Sequence, residues 1–249
     1  MLHQLTERCY YLPFSDETDR PALGYVRGER FTFLVDGGNS PDHMALLHRS
    51  LEEKGLPKEQ LVAITHSHWD HTYGLCATEA PVIACRKAQE QLQIMQQWAW
   101  TPEAMQARLD KREDILFCHE FILKEYADPM AIRVRSADIV FEDFLELDLG
   151  GVHAQLMHLN NSHSSDCAIV FIPEEGVVYL GDTAYKDLHH VPPCWHLNRR
   201  AELMGVLDRL DFQWAVPGHH DACRRDDFFR RMEDIFTEDK ASGIPVLPD

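Results

Sequence analysis

The segment Thr65–His71 constrains this chain more than any other part of its sequence. It reads T-H-S-H-W-D-H, so three histidines and one aspartate lie within six residues, directly after the short apolar run L-V-A-I. Side chains alternate in direction along an extended segment, so His66 and His68 can face the same way. Asp70 and His71 follow as the chain leaves the strand and can face a neighbouring position. Imidazole and carboxylate groups bind zinc, iron or manganese while leaving positions open, so the segment predicts a metal site.

Three later polar residues also stand where an apolar run stops. They are His163, Asp182 and His219, which follow the runs A-Q-L-M-H-L, V-V-Y-L and W-A-V. Binding sites in α/β sheets are assembled at strand ends, so these residues are candidates to complete the site. His158 is the alternative to His163. His163 is favoured because it lies after the strand and is followed by Ser164.

Length and charge bound the class of protein. The chain has 249 residues with 45% hydrophobic content, which fits one large α/β domain over residues 1–249 with a substantial core. It carries 24 lysines and arginines against 41 aspartates and glutamates, a formal net charge of −17. Such a charge repels phosphate backbones and anionic lipids, so we expect neither a nucleic-acid nor a membrane partner.

The N-terminal region and the cysteines favour a cytoplasmic localisation. Met1–Phe14 has no basic segment followed by an apolar run, and no stretch approaches the roughly 20 apolar residues that span a bilayer. The seven cysteines are scattered, odd in number and form no C-x-x-C pair. A reduced state therefore fits better than a disulfide framework.

Hydrophobic patterning predicts alternating strands and helices in both halves of the chain. The predicted strands are Cys9–Phe14, Thr32–Val35, Leu61–Thr65, Pro81–Ala84, Ile139–Phe141, Leu145–Leu149, Ala154–Leu159, Ala168–Ile172, Val177–Leu180 and Trp214–Val216. The predicted helices are Pro41–Lys54, Arg86–Gln97, Thr101–Lys124, Leu203–Leu210 and Asp226–Phe236. This alternation favours one domain with two sheets between helical layers.

A helical insert is predicted at about residues 95–135. Its main part, Thr101–Lys124, is predicted as one helix. The apolar residues that repeat there at near-helical spacing are Met105, Leu109, Leu116 and Leu123. We expect these side chains to pack the insert onto the domain. A lid over the active site is the alternative.

The order and spacing of the motifs resemble the metallo-β-lactamase superfamily over nearly the whole chain. The matching motifs, in chain order, are Asp36-Gly37-Gly38, Thr65–His71, His163-Ser164, Gly181-Asp182 and Pro217-Gly218-His219. The family usually has Pro-Gly before the histidine of the third motif, where this chain has Asn161-Ser162. We therefore expect a differently shaped turn at that point.

The resemblance implies a four-layer αβ/βα sandwich with two divalent metal ions, zinc in preference to iron or manganese. The implied ligands are His66, His68 and His163 for the first metal, Asp70, His71 and His219 for the second, and Asp182 bridging both. A hydroxide between the metals would attack a small ester, thioester, lactone or amide. Asp70 would also be catalytic by orienting this nucleophile. The implied partner is a small-molecule substrate, and the oligomeric state stays open.

Other activities of the superfamily remain alternatives. One is iron-dependent redox chemistry of the persulfide dioxygenase type; the related di-iron branch usually has glutamate where His68 stands and an attached flavin domain. Another is β-lactamase activity, although the best-known secreted lactamases carry cysteine where Asp182 stands and have a signal peptide. A non-catalytic binding module is disfavoured because none of the implied ligands is lost.

Residues beside the ligands are candidate substrate contacts. Trp69 lies inside the first motif, and Tyr185, His189 and His190 follow Asp182 in a segment that lines the pocket in this family. Trp195, later in the same segment, is a further candidate.

Overall fold

Apolar and β-branched runs form two large sheets in the computed structural model, which describes residues 1–249. The strands are β1 (His3–Gln4), β2 (Cys9–Leu12), β3 (Leu23–Arg27), β4 (Thr32–Val35), β5 (Leu61–Ala63), β6 (Val82–Cys85), β7 (Ile139–Phe141), β8 (Phe144–Asp148), β9 (His153–Leu159), β10 (Cys167–Ile172), β11 (Val177–Gly181), β12 (Trp195–His196), β13 (Trp214–Pro217), β14 (Cys223–Arg224) and β15 (Val246–Leu247). The helices are α1 (Pro41–Glu53), α2 (Trp69–Thr72), α3 (Arg86–Met95), α4 (Pro102–Lys111), α5 (Leu116–Glu125), α6 (Leu197–Arg209) and α7 (Arg225–Ala241).

The first sheet follows chain order, from β1 to β7. Its pairs are antiparallel from β1 to β4 and parallel from β4 to β7. The second sheet has the order β14-β13-β11-β10-β9-β8, and only β11 and β13 pair in parallel. The strands β12 and β15 form a separate two-stranded ribbon.

The two sheets pack face to face, and Gly24 on β3 allows their close approach. A Cβ at Gly24 would overlap the ring of Tyr179 on β11. The Tyr179 hydroxyl donates to the carbonyl of Tyr10 at 3.0 Å, so the same side chain is also hydrogen-bonded to the first sheet. This contact lies inside the larger hydrophobic core, which draws residues from both sheets.

Successive side chains of β11 face opposite sides of the second sheet and belong to different hydrophobic cores. Val177 and Tyr179 belong to the core between the sheets, whereas Val178 and Leu180 belong to a second core. That second core contains Leu203 and Leu207 of α6 with Phe228 and Met232 of α7. On the other side, the buried residues of α1 and α3 join the core with the first sheet. The predicted sandwich of two sheets between helical layers is confirmed.

The insert is helical, as predicted, but the single helix Thr101–Lys124 is wrong. Arg112 has φ 60°, a left-handed conformation that ends α4 and separates it from α5. The break changes the phase of the second helix. Leu116 and Leu123 are therefore 61% and 50% exposed rather than packed, while Cys118 and Ile122 are buried in their place.

Five strands and several boundaries differ from the prediction. The strands β1, β12, β14 and β15, each of two residues, have no predicted counterpart, and neither does β3. The helix α6 begins at Leu197 rather than Leu203. All seven cysteines are free. None of the helices is long and apolar enough to cross a bilayer.

Candidate metal centre

The seven predicted ligand residues lie in segments that follow strand ends of both sheets, and two of them, Asp70 and His71, lie in the short helix α2. The first sheet supplies four of them after β5, and the second sheet supplies three after β9, β11 and β13. The first group is His66, His68, Asp70 and His71, and the second is His163, Asp182 and His219. The structure brings these side chains into two adjoining clusters, so strand ends from both halves of the chain meet at one place.

The first cluster consists of His66, His68 and His163, whose nearest ring nitrogens all lie within 4.8 Å of one another. The Nε2 atom of His163 lies 2.9 Å from Nδ1 of His68. The ring centre of His66 lies 4.5 Å from that of His68 and 5.1 Å from that of His163. Three imidazoles therefore point at one small volume.

The second cluster consists of Asp70, His71, Asp182 and His219. The Oδ2 atom of Asp70 lies 3.1 Å from Nε2 of His71 and 3.0 Å from Nε2 of His219. The Oδ1 atom of Asp182 lies 3.3 Å from Nε2 of His71. Two carboxylates and two imidazoles thus face a second volume beside the first.

Asp182 lies between the two clusters. Its Oδ2 atom is 3.5 Å from Nε2 of His163 in the first cluster and 3.5 Å from Nε2 of His219 in the second. Gly218 makes room for it, because a Cβ at that position would overlap Oδ1 of Asp182. A carboxylate in this position can bind a cation with each oxygen.

Three buried polar atoms of the two clusters make no hydrogen bond of good geometry, although His71 and Asp182 lie close to each other. They are Nε2 of His66, Nε2 of His71 and Oδ1 of Asp182. Buried polar atoms in proteins almost always have partners, so such orphans require an explanation. Metal coordination supplies one, since each atom is a ligand type that zinc accepts. The residues therefore fit a pair of divalent cations.

Burial and charge act differently in the two clusters. Burial lowers the pKa of His66 to about 3 and that of His68 well below its ordinary value, so both are neutral imidazoles at neutral pH. Burial opposes the charges of the second cluster, but mutual attraction outweighs it. Asp70 and Asp36 hold the pKa of His71 well above its ordinary value, and His71 with His219 holds that of Asp70 well below.

The same attraction acts on the other pair of the second cluster. Against the effect of burial, Asp182 and Asp70 hold the pKa of His219 well above its ordinary value, and His219 with His71 keeps Asp182 ionised. Two imidazolium protons thus balance two buried carboxylates. A divalent cation would take the place of these protons, because a metal binds the deprotonated form of histidine.

Residues outside the two clusters orient the ligands. The Oδ2 atom of Asp36 lies 2.8 Å from Nδ1 of His71, and its Oδ1 accepts the Thr65 amide at 2.7 Å. This contact turns Nε2 of His71 towards the second cluster. Metal-binding histidines usually donate their other nitrogen to such a partner, which fixes the ring orientation and the tautomer.

Three further supports were missed by the sequence analysis. The carbonyl of Lys186 accepts from Nδ1 of His163 at 3.2 Å, and Oδ1 of Asp19 lies 3.5 Å from Nδ1 of His219. Asp166 accepts the amide of Ser67 at 3.0 Å and so anchors the first motif. Among the residues that orient the ligands, only Asp36 is indicated by the sequence, because it belongs to the D-G-G motif.

Two adjoining cavities open onto the clusters. The metal-facing cavity, about 240 Å³, reaches five of the seven predicted ligands, and the side cavity, about 410 Å³, extends from it towards α3. Trp69 and His189 line both cavities, and Tyr185 lines the first. Cys118 on the insert also lines both, so α5 forms a wall that the two cavities share.

Three other histidine and tryptophan candidates lie elsewhere. His190 is exposed and its Nδ1 lies 2.7 Å from the carbonyl of Pro192, and it lines neither cavity. Trp195 is buried in the second core, where its Nε1 donates to Asp239 at 2.9 Å. His158, the alternative to His163, belongs to neither cluster, and its Nε2 lies 2.9 Å from the carbonyl of Ser165.

Solved structures with this architecture are metallo-β-lactamase fold proteins. A metallo-beta-lactamase from Pontibacter korlensis superposes with a TM-score of 0.63 at 12% identity, covering 94% of this chain and 97% of that one. A metallo-beta-lactamase family protein from Thermus thermophilus gives 0.65 at 19% identity, covering 96% and 81%. The sec-alkylsulfatase Pisa1 from Pseudomonas gives 0.63 at 15% identity, and the match spans 93% of this chain but 40% of the sulfatase.

Identities this low show the fold alone, and a search of the curated proteins finds no match. The family assignment therefore depends on the family model. The model of the metallo-beta-lactamase superfamily matches residues 22–219, which include all seven clustered side chains and most of the chain. The chain belongs to the metallo-beta-lactamase superfamily.

Proposed function

We propose that this protein is a metal-dependent hydrolase that cleaves a small ester, thioester, lactone or amide at two divalent cations, with zinc preferred. One observation carries the proposal: Asp182 lies between a cluster of three histidines and a cluster of aspartates and histidines. His66, His68 and His163 would hold one cation, and Asp70, His71 and His219 the other. Bound cations would supply Lewis acidity and lower the pKa of coordinated water.

Asp70 is the proposed catalytic carboxylate. It is buried, and its low pKa keeps it ionised at neutral pH. It lines the metal-facing cavity, so its carboxylate can accept a hydrogen bond from a reacting water. A carboxylate held this acidic is a weak base, so its role is to orient the water rather than to keep its proton.

Tyr185 is the proposed hydrogen-bond donor to the substrate. Its hydroxyl oxygen accepts the His219 amide at 3.2 Å, which leaves the hydroxyl proton available. Burial raises the pKa of this hydroxyl well above its ordinary value, so the proton is retained at neutral pH. A donor fixed beside the centre can stabilise negative charge that develops on the substrate oxygen.

The shape and charge of the cavities support a small substrate without multiple negative charges. Asp16 lines the metal-facing cavity, and Glu90 and Glu113 line the side cavity together with one cationic residue, Lys87. These carboxylates repel polyanions, in keeping with the absence of nucleic-acid and lipid partners that we propose. The free state of the cysteines supports the proposed cytoplasmic localisation.

The test is metal analysis combined with a substrate panel. Protein loaded with zinc and protein stripped by chelator are assayed on esters, thioesters, lactones, amides and cephalosporins. We expect turnover of one class only by loaded protein, and loss of that turnover in Asp182→Asn. Glu59→Gln is the matched control, since Glu59 is a buried carboxylate that contacts His48 and neither belongs to the clusters nor lines the two cavities.

Two outcomes would overturn the proposal. The first is equal turnover, or none, by loaded and stripped protein on every class. The second is iron as the native metal with oxygen uptake in the presence of glutathione persulfide, which would assign redox chemistry instead.

A further inference from the structure

A third group of potential metal ligands lies outside the centre, in the segment between β11 and α6. It consists of Asp187, Cys194 and His196, whose ligand atoms all lie within 4.8 Å of one another. Asp187 and Cys194 pair through two backbone hydrogen bonds of 2.9 and 3.1 Å, which close the loop between them. His196 follows Cys194 by two residues in extended backbone, so their side chains face the same way.

The three groups have the spacing of ligands around one cation. The Cys194–His196 contact is also within the range of a hydrogen bond to sulfur, whereas the Asp187–His196 contact is too long for a hydrogen bond. The Nε2 atom of His196 lies 3.7 Å from Sγ of Cys194 and 3.6 Å from Oδ2 of Asp187. A charged N–H···O bond would be about 2.7–2.9 Å long. Ligands around one tetrahedral zinc, with bond lengths of 2.0–2.3 Å, are instead separated by roughly 3.3–3.6 Å.

The three side chains are held in place by their surroundings. The thiol of Cys194 is fully buried and His196 is 7% exposed. The hydroxyl of Ser162 donates to the carbonyl of His196 at 2.9 Å and accepts its amide at 3.2 Å, which fixes the backbone there.

The carboxylate of Asp187 is fixed through one of its oxygens. Its Oδ1 accepts the amides of His189 and His190 at 2.8 and 2.9 Å, so Oδ2 is the oxygen left to face Cys194 and His196. The Asp187 side chain is 22% exposed, which leaves a path for a cation and for a water as fourth ligand.

We propose that Asp187, Cys194 and His196 bind a third divalent cation of the thiophilic kind, such as zinc. Cys194 would bind as the thiolate, and its proton would pass to solvent as the cation enters. The cation would tie together both ends of the loop 187–196. That loop carries Leu188 and His189, which line the metal-facing cavity, so the third cation would fix one wall of the cavity from behind.

Cobalt substitution separates this site from the main centre. The seven residues of the main centre include no cysteine, so a near-ultraviolet thiolate-to-cobalt charge-transfer band can report only on a cysteine site. The experiment loads the full chain with zinc or cobalt, counts the bound metal by elemental analysis and records the cobalt spectrum. Cys194→Ser is the test variant. Cys9→Ser, which removes a buried thiol elsewhere, is the matched control.

We expect the wild-type chain to hold one more cation than Cys194→Ser and to show the band, which this variant lacks. Cys9→Ser should match the wild type in both readouts. The comparison does not depend on the main centre: if the hydrolytic centre bound no metal, the difference of one cation would persist. Equal metal content in wild type and Cys194→Ser, or a band that survives in this variant, would overturn the proposal. If Cys194→Ser fails to fold, His196→Gln replaces it, and a wild type without the band overturns the proposal by itself.

Discussion

Asp36→Asn tests whether metal binding depends on the contact by which Asp36 orients His71. The substitution keeps the shape of the side chain, and the amide oxygen can still accept the Thr65 amide. The amide nitrogen then faces Nδ1 of His71, which now lies 2.8 Å from Oδ2 of Asp36. Two donors cannot share this contact. His71 must therefore either lose the bond or place its proton on Nε2, the atom that faces the second cluster.

Two costs follow from this change. Leaving a buried polar group without its partner destabilises the metal-free protein by about 1–3 kcal/mol. Loss of the residue that orients a metal ligand weakens metal binding about 10–100-fold. That factor corresponds to about 1.4–2.7 kcal/mol of binding free energy. The metal-loaded protein loses this amount of stability in addition to the loss seen in the metal-free protein.

The assay combines zinc affinity by chelator competition with denaturant unfolding in zinc and in chelator. We expect Asp36→Asn to lose more stability in zinc than in chelator. Glu59→Gln disrupts a comparable buried pair, in which a Glu59 oxygen lies 3.0 Å from Nε2 of His48, and should lose the same stability in both conditions. A zinc affinity within about threefold of wild type, or equal losses of stability in both conditions, would refute the orienting role of Asp36.

Three further predictions concern the centre. Gly218→Ala should displace the Asp182 carboxylate and reduce metal content, as measured by elemental analysis. Gly205→Ala on α6, where an added Cβ would lie 3.6 Å from the nearest heavy atom, should keep the metal and gain up to about 1 kcal/mol of stability. Tyr185→Phe should lower kcat by up to about 100-fold while metal content stays constant, and unchanged kcat would remove Tyr185 from the reaction. The raised pKa values of His71 and His219 stabilise the fold below their unfolded pKa near 6.5, and this stability is lost as the pH rises through the folded values. The free energy of unfolding of the metal-free protein, measured in urea, should therefore fall above about pH 6.5. Zinc affinity should rise with pH, by up to about tenfold per pH unit for each proton that zinc displaces. A zinc affinity independent of pH would contradict this assignment.

The residues of the two clusters could be identified from the sequence because each breaks a local pattern. An apolar strand that ends in histidine or aspartate places a polar side chain where burial is costly, and His66, Asp182 and His219 all stand at such ends. The spacing also indicated which motifs belong together. What the spacing could not give was the distance between clusters, because that distance depends on how the two sheets pack.

The features that the sequence did not predict also have physical causes. Arg112 adopts a left-handed conformation that nothing in its side chain favours, so the break between α4 and α5 was not visible in the helical periodicity. Asp19 and Asp166 come from separate loops and reach the centre only through the tertiary fold. Trp195 is a predicted substrate contact, but its ring is buried in the second core and its Nε1 donates to Asp239 on α7.

The division of the ligands between the sheets links metal binding to folding. Four of the seven follow a strand of the first sheet and three follow strands of the second, and each cluster contains residues from both sheets. Neither cluster can therefore form unless the sheets have packed together. Because such a site is absent from the unfolded chain, the free energy of binding each cation adds to the free energy of folding. Bound cations would therefore hold the two sheets together at this edge of the sandwich, in addition to the attraction between the buried carboxylates and imidazoles.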